Sequence, residues 1–360
     1  MTFEEARAAF PVLERYAYLN AGSVGPMARR TYEAVVEAER EELGPRGSHD
    51  AFNRVVEQRE HLRGVLGAHV GVAPDHISLA TSTSEGCRVV LAGLALTPED
   101  DIVTTDAEHY GLLGPLHASG ARVRVARVKE RPAAEALDAI LAEVGPRTRL
   151  VALSHVLWLN GHVIPVEELQ EALSVPLLVD GAQSVGAIPV DVSPFDFYTV
   201  SGQKWLCGPT PTGGLYIKDP ERLRVAGPSY FAQQSYDEDG SFVPREGARR
   251  FDLSWIPAAF IAGLEAALEL APEWRFERSR EISERCRERL LDAGHRVVTE
   301  PGQANLVAWR HEGDTAEVVK RLYEGGVVIR DLPKAGLLRA SCGWWTSDDD
   351  VERLAAALST

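Results

Sequence analysis

Residues 176–184 read PLLVDGAQS. A proline followed by three large apolar residues reads as a short strand buried on both faces, and it stops at Asp180, a glycine turn and Gln183. An acid ending such a strand is costly to bury unless something cationic meets it. The same form recurs on both sides, in ISLAT (77–81), DIVTTD (101–106), RVRVARV (122–128), RLVALSH (149–155), DFYTVSG (196–202) and GGLYIK (213–218). Between these runs lie helical patterns such as PAAEALDAILAEV (132–144) and PVEELQEAL (165–173), with apolar residues three and four apart and Pro at a first helical position. The alternation predicts an α/β fold with a mostly parallel, doubly wound seven-stranded sheet.

After about residue 257 the pattern changes to a long helical stretch (258–294) interrupted near Pro272, followed by short strands and further helices that read as a smaller α+β C-terminal domain. The expected organisation is an N-terminal segment 1–20 packing with the small domain, a large domain 21–257 and a small domain 258–360. Residues 227–250 mix Gly, Pro, Ser and charges without period and read as an extended loop.

The 360 residues carry a formal net charge of -15, which argues against nucleic acid or an anionic membrane as partner. No stretch reaches the roughly 20 apolar residues of a membrane helix. The N-terminus carries acids where a secretory signal would carry cations, so the cytoplasm is the expected compartment. The four cysteines, at 87, 207, 286 and 342, lie far apart with no metal-ligand spacing, so no metal site is expected and packed thiols are the plainer reading.

In open α/β sheets ligands bind beyond the carboxyl ends of the strands. ISLA is followed by TSTSEG (81–86), hydroxyls at a helix N-terminus, which suit an anion. DIVTTD is followed by AEHYG with His109, RLVAL by SHVLWLNG with His155 and Asn160, and DFYTV by SGQKWLCGP with Lys204. One residue at one strand tip has a bland explanation; an anion loop, an acid, two imidazoles and an amine at five tips ask for pyridoxal 5'-phosphate. That cofactor needs an amine for a Schiff base, a carboxylate on the pyridine nitrogen, a phosphate site and a flat group against the ring. Lys204, Asp180, the Thr83/Ser84 loop and His109 supply these, and the lysine can also act as general base.

TSTSEG, EHYG, SHVLWLNG, VDGAQS, SGQKWLCGP and LLRASCGWWTSDDDVERL (337–354), in that order, resemble the class V aminotransferase family of fold type I pyridoxal-phosphate enzymes, cysteine desulfurase-like proteins included. SHVLWLNG, EGARRFDLSW (246–255) and LLRASCGWW look most like the cystine and cysteine C–S lyases. The resemblance implies that Lys204, Asp180 and His109 are catalytic, with His109 stacked on the ring and Gln183 at the phenolic oxygen. It implies that Thr83, Ser84, Glu85, Ser201 and Gln203 lie at the phosphate, and that Arg339 binds the substrate carboxylate. His155, where many relatives have Asn, is implied at the ring oxygen or at the substrate, and Gln203 stands where many have His. Asn20, Ala21, Gly22 and Asn160 are implied near the substrate, with Arg250 (or Arg249) as a site for a second carboxylate. Trp158, Tyr230, Phe231, Trp344 and Trp345 are candidate pocket walls. Ser254 and Trp255 match a position that reaches the partner subunit, so a homodimer with the active site at its interface is implied.

Cysteine desulfurases need a nucleophilic Cys shortly before the carboxylate-binding Arg, and residues 327–341 contain none. The expected activity is therefore β-elimination on a cystine- or cysteine-type amino acid. Transamination, epimerisation or desulfurase-like chemistry on a small amino acid, and a non-catalytic module stabilised by the cofactor, are the alternatives.

Overall fold

The computed structural model describes residues 1–253 and 255–359. The seven sequence-predicted strands form one sheet: β1 (Ile77–Ala80), β2 (Asp101–Thr105), β3 (Arg122–Ala126), β4 (Thr148–Ser154), β5 (Leu177–Asp180), β6 (Phe197–Ser201) and β7 (Gly213–Ile217). Their order is β1-β7-β6-β5-β4-β2-β3. Pairings from β6 to β3 are parallel, while β7 runs antiparallel to both β6 and β1. The strands are apolar on both faces because both are covered. Val103, Val151, Leu153, Val179, Tyr198 and Val200 join one buried cluster, whereas Ile102, Leu150, Ala152, Leu178 and Phe197, their alternates, join another. At the edge, β3 keeps Arg122 exposed against Asp101, which explains its alternating sequence.

The first face packs on Ile261, Leu264 and Leu268 of α5 (Ala258–Leu270), and α5 lies against α1 (Arg29–Glu41) and α2 (His49–His69). The second face is covered by α3 (Thr83–Leu94) and α4 (Tyr110–Ala118) through Val90, Leu91, Leu112 and Leu116.

A four-stranded antiparallel sheet, β8 (Arg296–Val297), β9 (Leu306–Arg310), β10 (Arg330–Leu332) and β11 (Leu337–Ser341), runs in the order β8-β9-β11-β10. It shares a core with α6 (Arg275–Asp292) and the helix Asp348–Leu358, built around Ile282, Leu290, Trp309, Leu338 and Leu354. The N-terminal segment belongs to this core: Ala17–Tyr18 pairs with Val327–Val328, and Asn20 bridges to Ser341 at the end of β11. Residues 227–250 differ from the loop expectation in carrying a short hairpin, Gln233–Tyr236 with Phe242–Pro244. Its ladder is brief and mostly exposed, so it leaves little apolar period in the sequence.

That hairpin leads into a turn, Gly247–Phe251, clamped by charge. Asp252, 3% exposed, accepts from Arg59 at 3.0 Å, from Arg63 at 2.7 and 3.0 Å, and from the Leu79 N–H at 2.9 Å. Two guanidiniums from α2 and the first strand are thereby tied to the chain just after that turn.

Candidate active site

Asp180 ends β5 and is 3% exposed. Its Oδ1 accepts from the Ala182 N–H at 3.0 Å and from the Thr199 hydroxyl at 3.1 Å, while Oδ2 has no partner among the described residues. The turn after it requires glycine, because a Cβ at Gly181 would stand 2.2 Å from the Thr199 carbonyl oxygen. Lys204 follows β6. Burial pulls its amine down to about 8, with Asp180 opposing that shift and Arg339 adding to it. Lys204, just past β6, thus senses both Asp180 at the end of β5 and Arg339 on β11 across one site.

Arg339 is the most telling member. It lies on β11 at 2% exposure, donates to the Trp158 carbonyl, leaves Nε without a partner, and faces no carboxylate among the described residues. Burial, reinforced by Arg330, lowers it to about 9. Glycine at position 22 makes room for it, since a Cβ there would lie 2.8 Å from its Nη2 and 2.9 Å from Ser341 Oγ. A buried cation with an unmet donor is built to meet an anion from outside.

His109 caps α4, its Nδ1 accepting from the Gly111 N–H at 3.0 Å. Burial, with Lys204 and Arg339, lowers the imidazole to about 4, so it is neutral at pH 7 and carries its proton on Nε2. Trp158 meets it edge-on at 4.9 Å between ring centroids. His155, also lowered to about 4 by burial, places Nδ1 2.6 Å from the Tyr198 hydroxyl, itself 2.6 Å from Ser184 Oγ. Its backbone N–H donates to the Asp180 carbonyl at 3.1 Å, which holds it beside that tip.

The anion loop has its N-cap at Ser82, whose Oγ accepts from the Glu85 N–H at 3.3 Å. That leaves the N–H groups of Thr83 and Ser84 at the helix start without acceptors among the described residues, the arrangement that favours an anion. Glu85 contributes neither donor nor free carboxylate there, because Arg88 takes its side chain at 3.0 and 3.1 Å. Ser201 Oγ donates to Gln203 Oε1 at 3.1 Å, so Gln203 keeps its amide donors for another partner.

Other sequence candidates have different surroundings. Gln183 accepts from Trp205 Nε1 at 2.9 Å and donates to the Gly22 carbonyl at 2.8 Å, tying the residue after Lys204 to the strip Asn20, Ala21, Gly22. Asn20 keeps a buried Oδ1 without a partner among the described residues, and Ala21 is fully buried. Asn160 is buried, its Oδ1 accepting from the His162 N–H at 3.2 Å. Arg250 pairs with Glu221 at 2.5 Å and donates to the Arg245 carbonyl, and Arg249 pairs with Glu60 and Asp75, so both guanidiniums are held by acids of this chain instead of facing Lys204. Trp344 and Trp345 pack with Phe10 in a buried cluster, and Trp344 with Phe10 lines a small cavity beside Trp205 and Cys207. Tyr230, Phe231 and Trp255 form an aromatic group, with Trp255 62% exposed. Ser254 lies outside the described residues. The sequence reading passed over Glu108, buried between Thr105 and Ser154, and Tyr198, whose hydroxyl meets His155. Glu108 stood inside the quoted AEHYG, and an acid beside a tip histidine was the available signal.

All four cysteines are free and buried. Cys342 and Cys286 share one core cluster and are in side-chain contact. The Cys87, Cys207 and Cys342 thiols are pushed up, by burial at the first two and by the Cys286 contact and burial at Cys342.

The residues present fit pyridoxal 5'-phosphate: an amine lowered toward neutrality, a carboxylate with a free oxygen, orphan helix N–H groups for a phosphate, and a flat neutral imidazole. A model of the class-V aminotransferase family matches residues 29–354. Isopenicillin N epimerase of Streptomyces clavuligerus is 29% identical over 391 residues, covering 99% of this chain and 97% of its own. The fold superposes on the cystine C–S lyase C-DES in complex with its reaction product cysteine persulfide, with a TM-score of 0.89, 29% identity and coverage of 97% and 99%. A C-DES mutant with glycine covalently linked to its PLP cofactor gives 0.90, 29%, and 98% of both chains. The chain belongs to the class-V aminotransferase family and is a pyridoxal-phosphate enzyme of fold type I.

Proposed function

We propose that this enzyme is a C–S lyase that eliminates the β-sulfur of cystine or a related cysteine-type amino acid. When bound, pyridoxal 5'-phosphate supplies an aldehyde for the amino groups and a ring that accepts the electron pair left on the α-carbon. Arg339 fixes the substrate carboxylate, using the donors it leaves unmet in the protein. Lys204, held near pH 8, is deprotonated often enough at neutral pH to take the α-proton and remains a good enough acid to return it. Asp180 Oδ2 keeps a proton on the pyridine nitrogen, Thr83 and Ser84 N–H with Ser201 and Gln203 hold the phosphate, and His109 presents a neutral flat face. For cystine the balance is one cystine and one water giving pyruvate, ammonia and cysteine persulfide.

The observation that carries elimination over sulfur transfer to the protein is the state of the cysteines. Residues 327–341 contain none, and Cys342 is packed against Cys286 in the small core. Sulfur therefore leaves with the product. The near full-length likeness to an epimerase favours a second reading, in which the α-proton returns to the opposite face. Incubation with L-cystine and no keto acid separates them: pyruvate formation supports elimination, whereas solvent deuterium at the α-carbon with no pyruvate supports epimerisation. Alanine with protein-bound persulfide would refute both.

The exposed Trp255 and Tyr230, stacked with ring centroids 6.4 Å apart, support a homodimer that meets at this face. Sedimentation of a Trp255→Asp variant as monomer, with the wild type as dimer, is the expected outcome.

A further inference from the structure

Glu108 sits one residue before His109, between the tips of β2 and β4, and is 6% exposed. Its Oε1 accepts from the Thr105 hydroxyl at 2.7 Å. Its Oε2 accepts from the Ser154 N–H at 3.0 Å and from the Ser154 hydroxyl. Thr105 Oγ1 in turn accepts from the Ala107 N–H at 3.2 Å, so the whole tip from 105 to 109 is strapped through one carboxylate. Ser154 stands opposite Asp180 in the parallel register of β4 and β5. The Ser154 N–H can only donate and both hydroxyls are placed to donate as well, so the site accommodates the ionised acid.

No cation among the described residues pairs with it. Asp180 on β5 raises its pKa, and both acids act on the Cys87 thiol of α3. Burial, against the pull of its three donors, leaves Glu108 at about 7. A fully buried carboxylate kept next to another one is expensive, and a neutral Gln could make comparable hydrogen bonds. Its retained charge therefore has something to act on besides the strap.

We infer that Glu108 is a positioning residue of the cofactor site: it fixes the turn that aims His109 and, behind Asp180, adds the negative charge that steadies a protonated ring nitrogen. This rests on the Lys204–Asp180 cofactor site and not on which bond the enzyme breaks. The charge it supplies is itself divided near neutrality, with Asp180, Cys87 and His109 the titratable groups around it.

The test is Glu108→Gln in the full-length holoenzyme, read by cofactor affinity and by the pH midpoint of the cofactor's visible band. Gln keeps an acceptor for Ser154, and Thr105 can turn to accept from the new amide. The expected result is about tenfold weaker retention of cofactor on dialysis and a band midpoint lowered by about one pH unit, because a nearby negative charge has been removed. Ser154→Ala, which keeps the carboxylate but removes one donor, should shift the midpoint the same way by less, and it decides the matter if Glu108→Gln fails to fold. Wild-type affinity and midpoint in both variants, with only the thermal midpoint lowered, would overturn the inference and leave Glu108 as a strap alone. A wild type that binds no cofactor, or a Lys204→Ala variant that keeps the band, would instead refute the site on which it rests.

Discussion

Replacing Arg339 by Met should make the cofactor-free protein more stable and the enzyme far worse. Burial pulls its guanidinium well below the ordinary arginine value, to about 9. At 1.36 kcal/mol per unit that shift corresponds to roughly 5 kcal/mol of unfavourable burial, an order-of-magnitude ceiling. Because the folded value lies below the unfolded one, the penalty is fully present below pH 9 and is relieved only as pH rises from there toward the ordinary arginine value, so it applies undiminished at pH 7. Met refills most of the volume without the charge, and the loss of the bond to the Trp158 carbonyl offsets part of the gain. The expected net effect is about 2–4 kcal/mol of added stability in urea unfolding of the cofactor-free protein. Losing a buried carboxylate clamp costs about 2–5 kcal/mol, so kcat/KM for cystine should fall by about 30-fold to several thousand-fold. Carboxylate substrate analogues should raise the thermal midpoint of the wild type but not of Arg339→Met. A variant less stable than wild type, or one with near-normal kcat/KM, would refute the reasoning that this cation is held for an external anion.

The remaining expectations concern the amine, the thiols and the buried ion cluster. Reconstitution of cofactor-free protein should accelerate with pH around a midpoint near 8, not near the ordinary 10.5 of lysine, because the deprotonated amine is the reactive form; stopped-flow absorbance checks it. Lysine's folded value lies below its unfolded one, so its burial penalty is present below pH 8 and fades as pH rises through 8 to 10.5. Cys342→Ala should keep pyruvate formation within about twofold while losing about 1–3 kcal/mol of stability to the cavity it leaves; loss of activity at unchanged fold would revive sulfur transfer. Asp252→Asn should destabilise by about 3–5 kcal/mol, since Arg59 and Arg63 are left buried with reduced compensation, and urea unfolding measures it.

The strands were legible because burial on both faces leaves continuous apolar runs, and five chemical tips stood out because each run ends abruptly in a polar residue. Asp180, Lys204 and His109 come together as that logic predicts for the ends of parallel strands. Arg339 had no such logic: it lies inside the antiparallel strand β11, and only the family pattern singled it out. The partners of the loop arginines were not legible, for a physical reason. Arg249 and Arg250 find Glu60, Asp75 and Glu221, acids 29 to 189 residues away in sequence, and long-range ion pairs leave no periodicity. The same holds for Asp252 with Arg59 and Arg63, for Gln183 with Trp205 and Gly22, and for Tyr198 with His155. Asn160 and Glu85 are spoken for by the backbone of His162 and the side chain of Arg88, local bonds that a strand-tip argument does not foresee.

The charge balance of the site runs against that of the molecule. A chain with a net charge of -15 should repel ligands that carry phosphate and carboxylate groups. Inside, though, Lys204 and Arg339 repel each other, and both depress His109. Only Asp180 attracts the lysine, and Arg339 has no acid at all among the described residues. Burial makes that local excess matter, because the few cations act through a low dielectric while the surface acids are screened within about 8 Å at physiological salt. Anionic ligands are then selected by fit to the buried groups and not by long-range steering. Affinity for a carboxylate substrate should consequently depend much more on Arg339 than on ionic strength, which is the behaviour expected of a site whose charges are kept in reserve by the fold.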